Sequence, residues 1–116
     1  MNVVWKQGDS KIRWGASGRV EVCVSGEIDQ VAERESEPRV LVLYGADIPS
    51  LRLAAFGADG MQVIDLPHPE GWYFYYLSTH VYFEHVVVCV SESEDYDWFF
   101  RLDCEAGTLV PVNRAY

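Results

Sequence analysis

A chain of 116 residues with 49% apolar and 14% aromatic side chains has the length of one domain and enough hydrophobic material for a core, which excludes a disordered class. Its formal charge of -9 and isoelectric point near 4.6 disfavour direct nucleic-acid binding, which needs a cationic footprint, and favour a basic partner. No run approaches the roughly 18 consecutive apolar residues of a spanning helix, and Lys6 and Gly8 interrupt the N-terminus too early for a signal-peptide centre. A single cytoplasmic domain over residues 1–116, away from membranes, is expected.

In chain order, the recurring signal is alternation of apolar and polar residues with period two, the mark of half-buried strands. It is clearest at Arg19 to Ser25, where Val20, Val22 and Val24 share one face and Glu21, Cys23 and Ser25 the other. The first two strands are expected at Asn2 to Gln7 and Ile12 to Trp14. After Arg19 to Ser25 the set continues with Arg39 to Tyr44, Leu51 to Phe56, Met61 to Leu66 and Trp72 to Ser78, then His85 to Ser91, Asp97 to Asp103 and Thr108 to Val112. Such short strands between turn residues predict an all-β fold, mainly an antiparallel meander forming a sandwich or open barrel, with at most one short helix. The helix candidate is Ile28 to Glu35, where Ile28, Val31 and Ala32 fall at i, i+3 and i+4 ahead of Pro38, with an acidic loop as the alternative. Pro49 suits the first turn of a short helical segment after Tyr44.

Gly57-Ala58-Asp59-Gly60 and Cys104-Glu105-Ala106-Gly107 each separate two strand-like runs and read as hairpin turns. Pro111 lacks an N–H and places the last strand at an edge or a bulge. Cys23, Cys89 and Cys104 are odd in number and widely spaced, which fits reduced thiols.

The candidates for chemistry are few. His80, Glu84 and His85 would point to alternating faces of a strand and do not converge on a metal. Cys89, in an apolar run, reads as a small buried hydrophobe, and Cys104 lies between Asp103 and Glu105, which disfavour its thiolate. No serine occupies a Gly-x-Ser-x-Gly turn. The expectation is therefore a protein without catalytic residues, metal or cofactor.

Eleven of the eighteen acidic residues fall between Glu27 and Glu37 or between Glu92 and Glu105. Both stretches are expected in connections between strands, where carboxylates meet a partner without disturbing a core. The candidate partner-binding residues are Glu27, Asp29, Glu33, Glu35 and Glu37 on one side and Glu92, Glu94, Asp95 and Asp97 on the other, with Tyr96 and Phe99 as aromatic anchors. Two other readings stay open. Asp95 and Asp97 suggest calcium, although the glycine and the distal glutamate of an EF-hand loop are missing. Trp72, Phe74 and Tyr76 would suit a small ligand or sugar if they line a common cavity.

The stretch from Asp97-Trp98-Phe99-Phe100-Arg101-Leu102-Asp103 through Gly107-Thr108-Leu109 to Arg114-Ala115-Tyr116 resembles the terminal hairpin of bacterial toxin-immunity proteins, including those of contact-dependent growth inhibition systems. The resemblance implies a small acidic immunity protein that blocks a cognate basic toxin, and the negative charge points to a nuclease to which carboxylates are offered in place of phosphates. That family is diverse in fold and assigns no functional residue to this chain.

Overall fold

Alternating apolar residues and short turns fold the chain into consecutive antiparallel pairs. The computed structural model describes residues 2–34, 39–80, 83 and 86–115. These form ten strands. The first five are β1 (Lys11–Trp14), β2 (Val20–Cys23), β3 (Ile28–Arg34), β4 (Arg39–Tyr44) and β5 (Arg52–Gly57). They are followed by β6 (Gln62–Pro67), β7 (Trp72–Ser78), β8 (Val86–Ser91), β9 (Asp97–Asp103) and β10 (Thr108–Ala115). The strands build a β1–β2 hairpin, a middle sheet ordered β3-β4-β5-β6 and an outer sheet ordered β10-β9-β8-β7. The fold is all-β, and among the described residues its helical content is confined to 3-10 turns at Ala16–Gly18 and Ile48–Ser50. The second begins at Asp47, whose carboxylate accepts from the Ser50 N–H while the Ser50 hydroxyl accepts from the Asp47 N–H.

The middle sheet is covered on both sides, which explains why β4 is apolar at consecutive positions. Leu41, Leu43, Leu53 and Ala55 share one core with Phe74, Val87, Cys89, Phe100 and Leu102 of the outer sheet. Val40, Val42, Tyr44, Ala54 and Phe56 share the other with Ile12, Trp14 and Val22 of the hairpin. Trp14 fixes the hairpin by donating its indole N–H to the Ala58 carbonyl at 2.8 Å. In the same turn, Gly60 has φ +87°, and a Cβ there would lie 2.7 Å from Val20 Cγ1. Only glycine lets the β5–β6 turn come this close to the hairpin.

The segment Ile28 to Arg34 is strand β3, paired with β4, and not a helix. The pairing register shifts between Ile28 and Gln30, so the alternation slips by one residue. Ile28 and Val31 therefore pack into the hairpin-side core, while Ala32 packs toward the outer sheet. A bulge thus produced the three-residue spacing that resembles a helical face. Consequently Asp29 and Glu33 lie within a strand, not in a connection as expected. The strand expected at Asn2 to Gln7 is reduced to a single bridge between Val4 and Arg13. Pro111 does lie on an edge strand, next to a register shift between Pro111 and Asn113.

A second bulge shapes the outer sheet. The β7–β8 register shifts between Phe74 and Tyr76, leaving Tyr75 out of the pairing and 42% exposed. Gln30 of β3 reaches across to this irregularity: its side-chain oxygen accepts from Leu77 N at 2.8 Å, and its amide donates to the Tyr75 carbonyl at 3.4 Å. One side chain thereby satisfies backbone groups that the bulge frees and joins the two sheets at their edges.

Candidate functional site

The second acidic stretch begins where β8 ends. The Ser91 hydroxyl accepts from the N–H groups of Ser93 and Glu94 at 3.3 and 3.0 Å, and Ser91 N donates to the Tyr96 carbonyl at 3.2 Å. These local bonds close the loop on its backbone and leave Glu92, Glu94 and Asp95 exposed. Asp97 opens β9 and is half-buried. A second turn is docked beside it: Trp72 N donates to the Pro69 carbonyl at 3.0 Å, Gly71 has φ +86°, and Glu92 N donates to the Gly71 carbonyl at 3.0 Å. This positive φ at the third turn position requires glycine and turns the exposed Glu70 to the same end of the molecule as Glu92.

Next to these carboxylates lies an open groove of about 380 Å³ lined by Pro69, Glu70, Trp72, Tyr96, Trp98, Phe100 and Pro111. Strand alternation puts Tyr96, Trp98 and Phe100 on one side of the chain, and register places Pro111 opposite Phe100 and Arg114 opposite Trp98. Trp72 is the hub, with ring centroids 5.9 Å from Tyr96, 6.4 Å from Trp98 and 5.5 Å from Phe100. The rings are steeply inclined to one another, the Trp72–Tyr96 and Trp72–Phe100 planes both at 69°. Phe100 belongs to the core, whereas Trp72 and Trp98 pack on its margin and stay half-buried. The Arg114 guanidinium lies over the Tyr96 ring at 5.2 Å, a cation–π contact at the groove's end.

No protein-family model, curated protein or solved structure matches this chain.

Of the predicted anchors, Tyr96 enters the groove and Phe99 does not. Phe99 points to the opposite face of the outer sheet, where its ring meets His80 at 5.2 Å, and His80 Nε2 lies 2.9 Å from Asn113 Oδ1. Phe83 joins this cover, with Arg101 over its ring at 5.7 Å. An odd separation along one strand prevents Tyr96 and Phe99 from presenting a common surface. Trp72, Trp98 and Glu70 line the groove beside Tyr96, and the signal for Trp98 is its even spacing from Tyr96.

The first acidic stretch is used differently. The Glu33 carboxylate accepts from Val3 N at 3.2 Å, and Asp29 accepts from the Gln30 amide at 3.3 Å. Glu27 is exposed, and its carbonyl accepts from Gly45 N at 2.8 Å. Glu35 and Glu37 lie outside the described residues, as do Glu84 and His85 of the histidine cluster. Glu33 is thus tied to the N-terminal segment, Asp29 to its neighbour on β3 and the Glu27 backbone to the β4–β5 turn.

Glu27 also borders a cleft of about 350 Å³ with Ser25, Tyr44, Ser50 and Arg52. There Asp65 accepts from the Tyr44 hydroxyl and from Arg52 Nε, the latter at 3.0 Å. Burial, reinforced by the hydrogen bond to Asp65, raises the Tyr44 pKa. A larger concavity of about 560 Å³ lies beside the N-terminal segment, between Trp5, Lys6, Lys11 and Arg13. Burial also raises the Cys89 thiol far above its ordinary value, which makes it a packing group and a poor nucleophile. Phe74 is fully buried, so Trp72, Phe74 and Tyr76 do not line a common cavity. Among the described residues no three His, Cys, Asp or Glu side chains are placed to hold a metal ion.

Proposed function

We propose that this chain is an inhibitor-type binding protein of the toxin-immunity kind, which docks a basic protein domain, a nuclease toxin in the specific form of the reading. The observation that carries it is the juxtaposition of Glu70, Glu92, Glu94 and Asp95, all exposed, with the open groove of Trp72, Tyr96 and Trp98. Carboxylates at the rim accelerate encounter with a cationic surface, and half-buried aromatic rings supply area that is removed from water once the partner is seated. A nuclease suits this surface because its own substrate site must be cationic to hold phosphates. The overall charge of -9 extends the same attraction beyond the contact.

The test is co-expression with any basic toxin domain found encoded beside this chain's gene. The reading expects a complex that survives purification, and host growth that depends on this chain whenever the toxin is made. A neighbouring basic domain that is toxic and neither binds this chain nor is relieved by it overturns the reading.

A further inference from the structure

We infer that the groove between Trp72, Trp98, Phe100 and Pro111 receives an extended, proline-containing segment with a basic residue at its flank. The inference rests on the partner-binding reading and specifies what part of a partner the groove takes.

Three observations select that occupant. First, the rings do not form a platform. Trp72 stands at 69° to Tyr96 and to Phe100 and at 49° to Trp98, and Tyr96 stands at 62° to Trp98, so the surface is a set of ridges. A sugar ring needs a broad flat aromatic face, which rings inclined to one another do not provide, and the lining carries one carboxylate, Glu70, beside the Tyr96 hydroxyl and the two indoles. Ridges separated by furrows fit the alternating projections of a polyproline II segment, whose ordering entropy is low before it binds.

Second, the sheet edge beside the groove is poorly suited to adding another strand. β10 is the edge of the outer sheet, Pro111 has no N–H, and the ladder shifts between Pro111 and Asn113. An incoming β-strand would meet an interrupted row of donors. A polyproline II segment uses side-chain contact in place of a continuous backbone ladder and is not hindered by that gap.

Third, the charge beside the groove is predominantly negative. Glu70 lies in the groove wall, and Glu92, Glu94 and Asp95 stand exposed on the loop bonded to the Gly71 carbonyl. Because Arg114 already covers the Tyr96 ring, it is these four carboxylates that make an arginine or lysine beside the prolines the complementary residue.

Titration of the purified full chain with short amidated peptides tests this, read by tryptophan fluorescence in a Trp5→Phe background. The probes are a peptide with a Pro-x-x-Pro core and one flanking arginine, the same peptide with alanine for both prolines, the same peptide with glutamate for the arginine, and a linear hexasaccharide. Saturable binding of the first is expected, weakened about tenfold by either peptide change and by Trp98→Ala. Glu70→Lys, on an exposed turn that tolerates the change in folding, is expected to abolish the preference for arginine over glutamate. Equal binding of the proline-free peptide, binding of the hexasaccharide alone, or no binding by any probe overturns the inference. A basic toxin domain that still co-purifies under those outcomes leaves the partner-binding reading standing, so the two fail separately.

Discussion

The middle and outer sheets of this protein are built from similar strands but are covered differently. The middle sheet packs the β1–β2 hairpin on one face and the outer sheet on the other, and Val40, Leu41, Val42 and Leu43 are buried in succession. The outer sheet gives Phe74, Val87 and Cys89 to the shared core but leaves Trp72 and Trp98 at an open margin. Apolar residues in the middle sheet are therefore explained by stability. The half-buried rings at one end of the outer sheet, bordered by exposed carboxylates, form the surface proposed above to meet a partner.

Substitutions that separate stability from binding test that difference. Phe74→Ala, in the shared core, is expected to lower unfolding free energy by about 3–5 kcal/mol in denaturant melts. Trp98→Ala, at the open margin, should cost about 1–2 kcal/mol and abolish detectable capture of the partner. Equal stability losses would erase the distinction between core and groove.

Gln30→Ala probes the joint between the two sheets. It leaves the Leu77 N–H without its 2.8 Å acceptor, and about 1–2 kcal/mol of stability should be lost with hydrogen-exchange protection falling first around Tyr75 to Leu77. Uniform loss of protection throughout the chain would contradict a local role for this side chain.

Tyr44→Phe is a smaller perturbation, about 1 kcal/mol through loss of the bond to Asp65. Its signature is the pH dependence. The folded state holds the Tyr44 proton more tightly than the unfolded chain, whose tyrosine titrates near pH 10. The associated stability is thus fully present below that pH and is lost as pH rises through the raised folded value. Denaturant melts should show a shallower alkaline decline in Tyr44→Phe than in the parent, and identical slopes would remove Tyr44 from the account.

Much of the fold is legible in the sequence because alternation reports directly which faces of a strand are covered. Val20 to Val24, the Gly60 turn and Pro111 each state their structural role in residue type and spacing. Two of the misreadings arise at bulges. A one-residue slip at Asp29 gave Ile28 and Val31 a helical spacing, and the slip at Tyr75 placed Phe74 and Leu77 on the same face at an odd interval. Strand register depends on cross-strand partners, which local periodicity does not carry. The site was legible in part for the same reason. The exposed carboxylates of the Glu92–Asp95 loop follow from composition, and Tyr96 with Trp98 from even spacing. The approach of Glu70 and Trp72 depends on the bond from Glu92 N to the Gly71 carbonyl, a contact between residues about twenty positions apart.

The most direct measurement of the central claim is the association rate of the proposed partner, a basic toxin domain, with the wild-type chain and with Glu92→Lys/Glu94→Lys/Asp95→Lys, across ionic strengths. These side chains are exposed, so folding stability should change by no more than about 0.5 kcal/mol. The account predicts association about tenfold slower or more at low salt, a flatter salt dependence and convergence of the two proteins at high salt. An unchanged rate at low ionic strength, in a variant that folds normally, would contradict it.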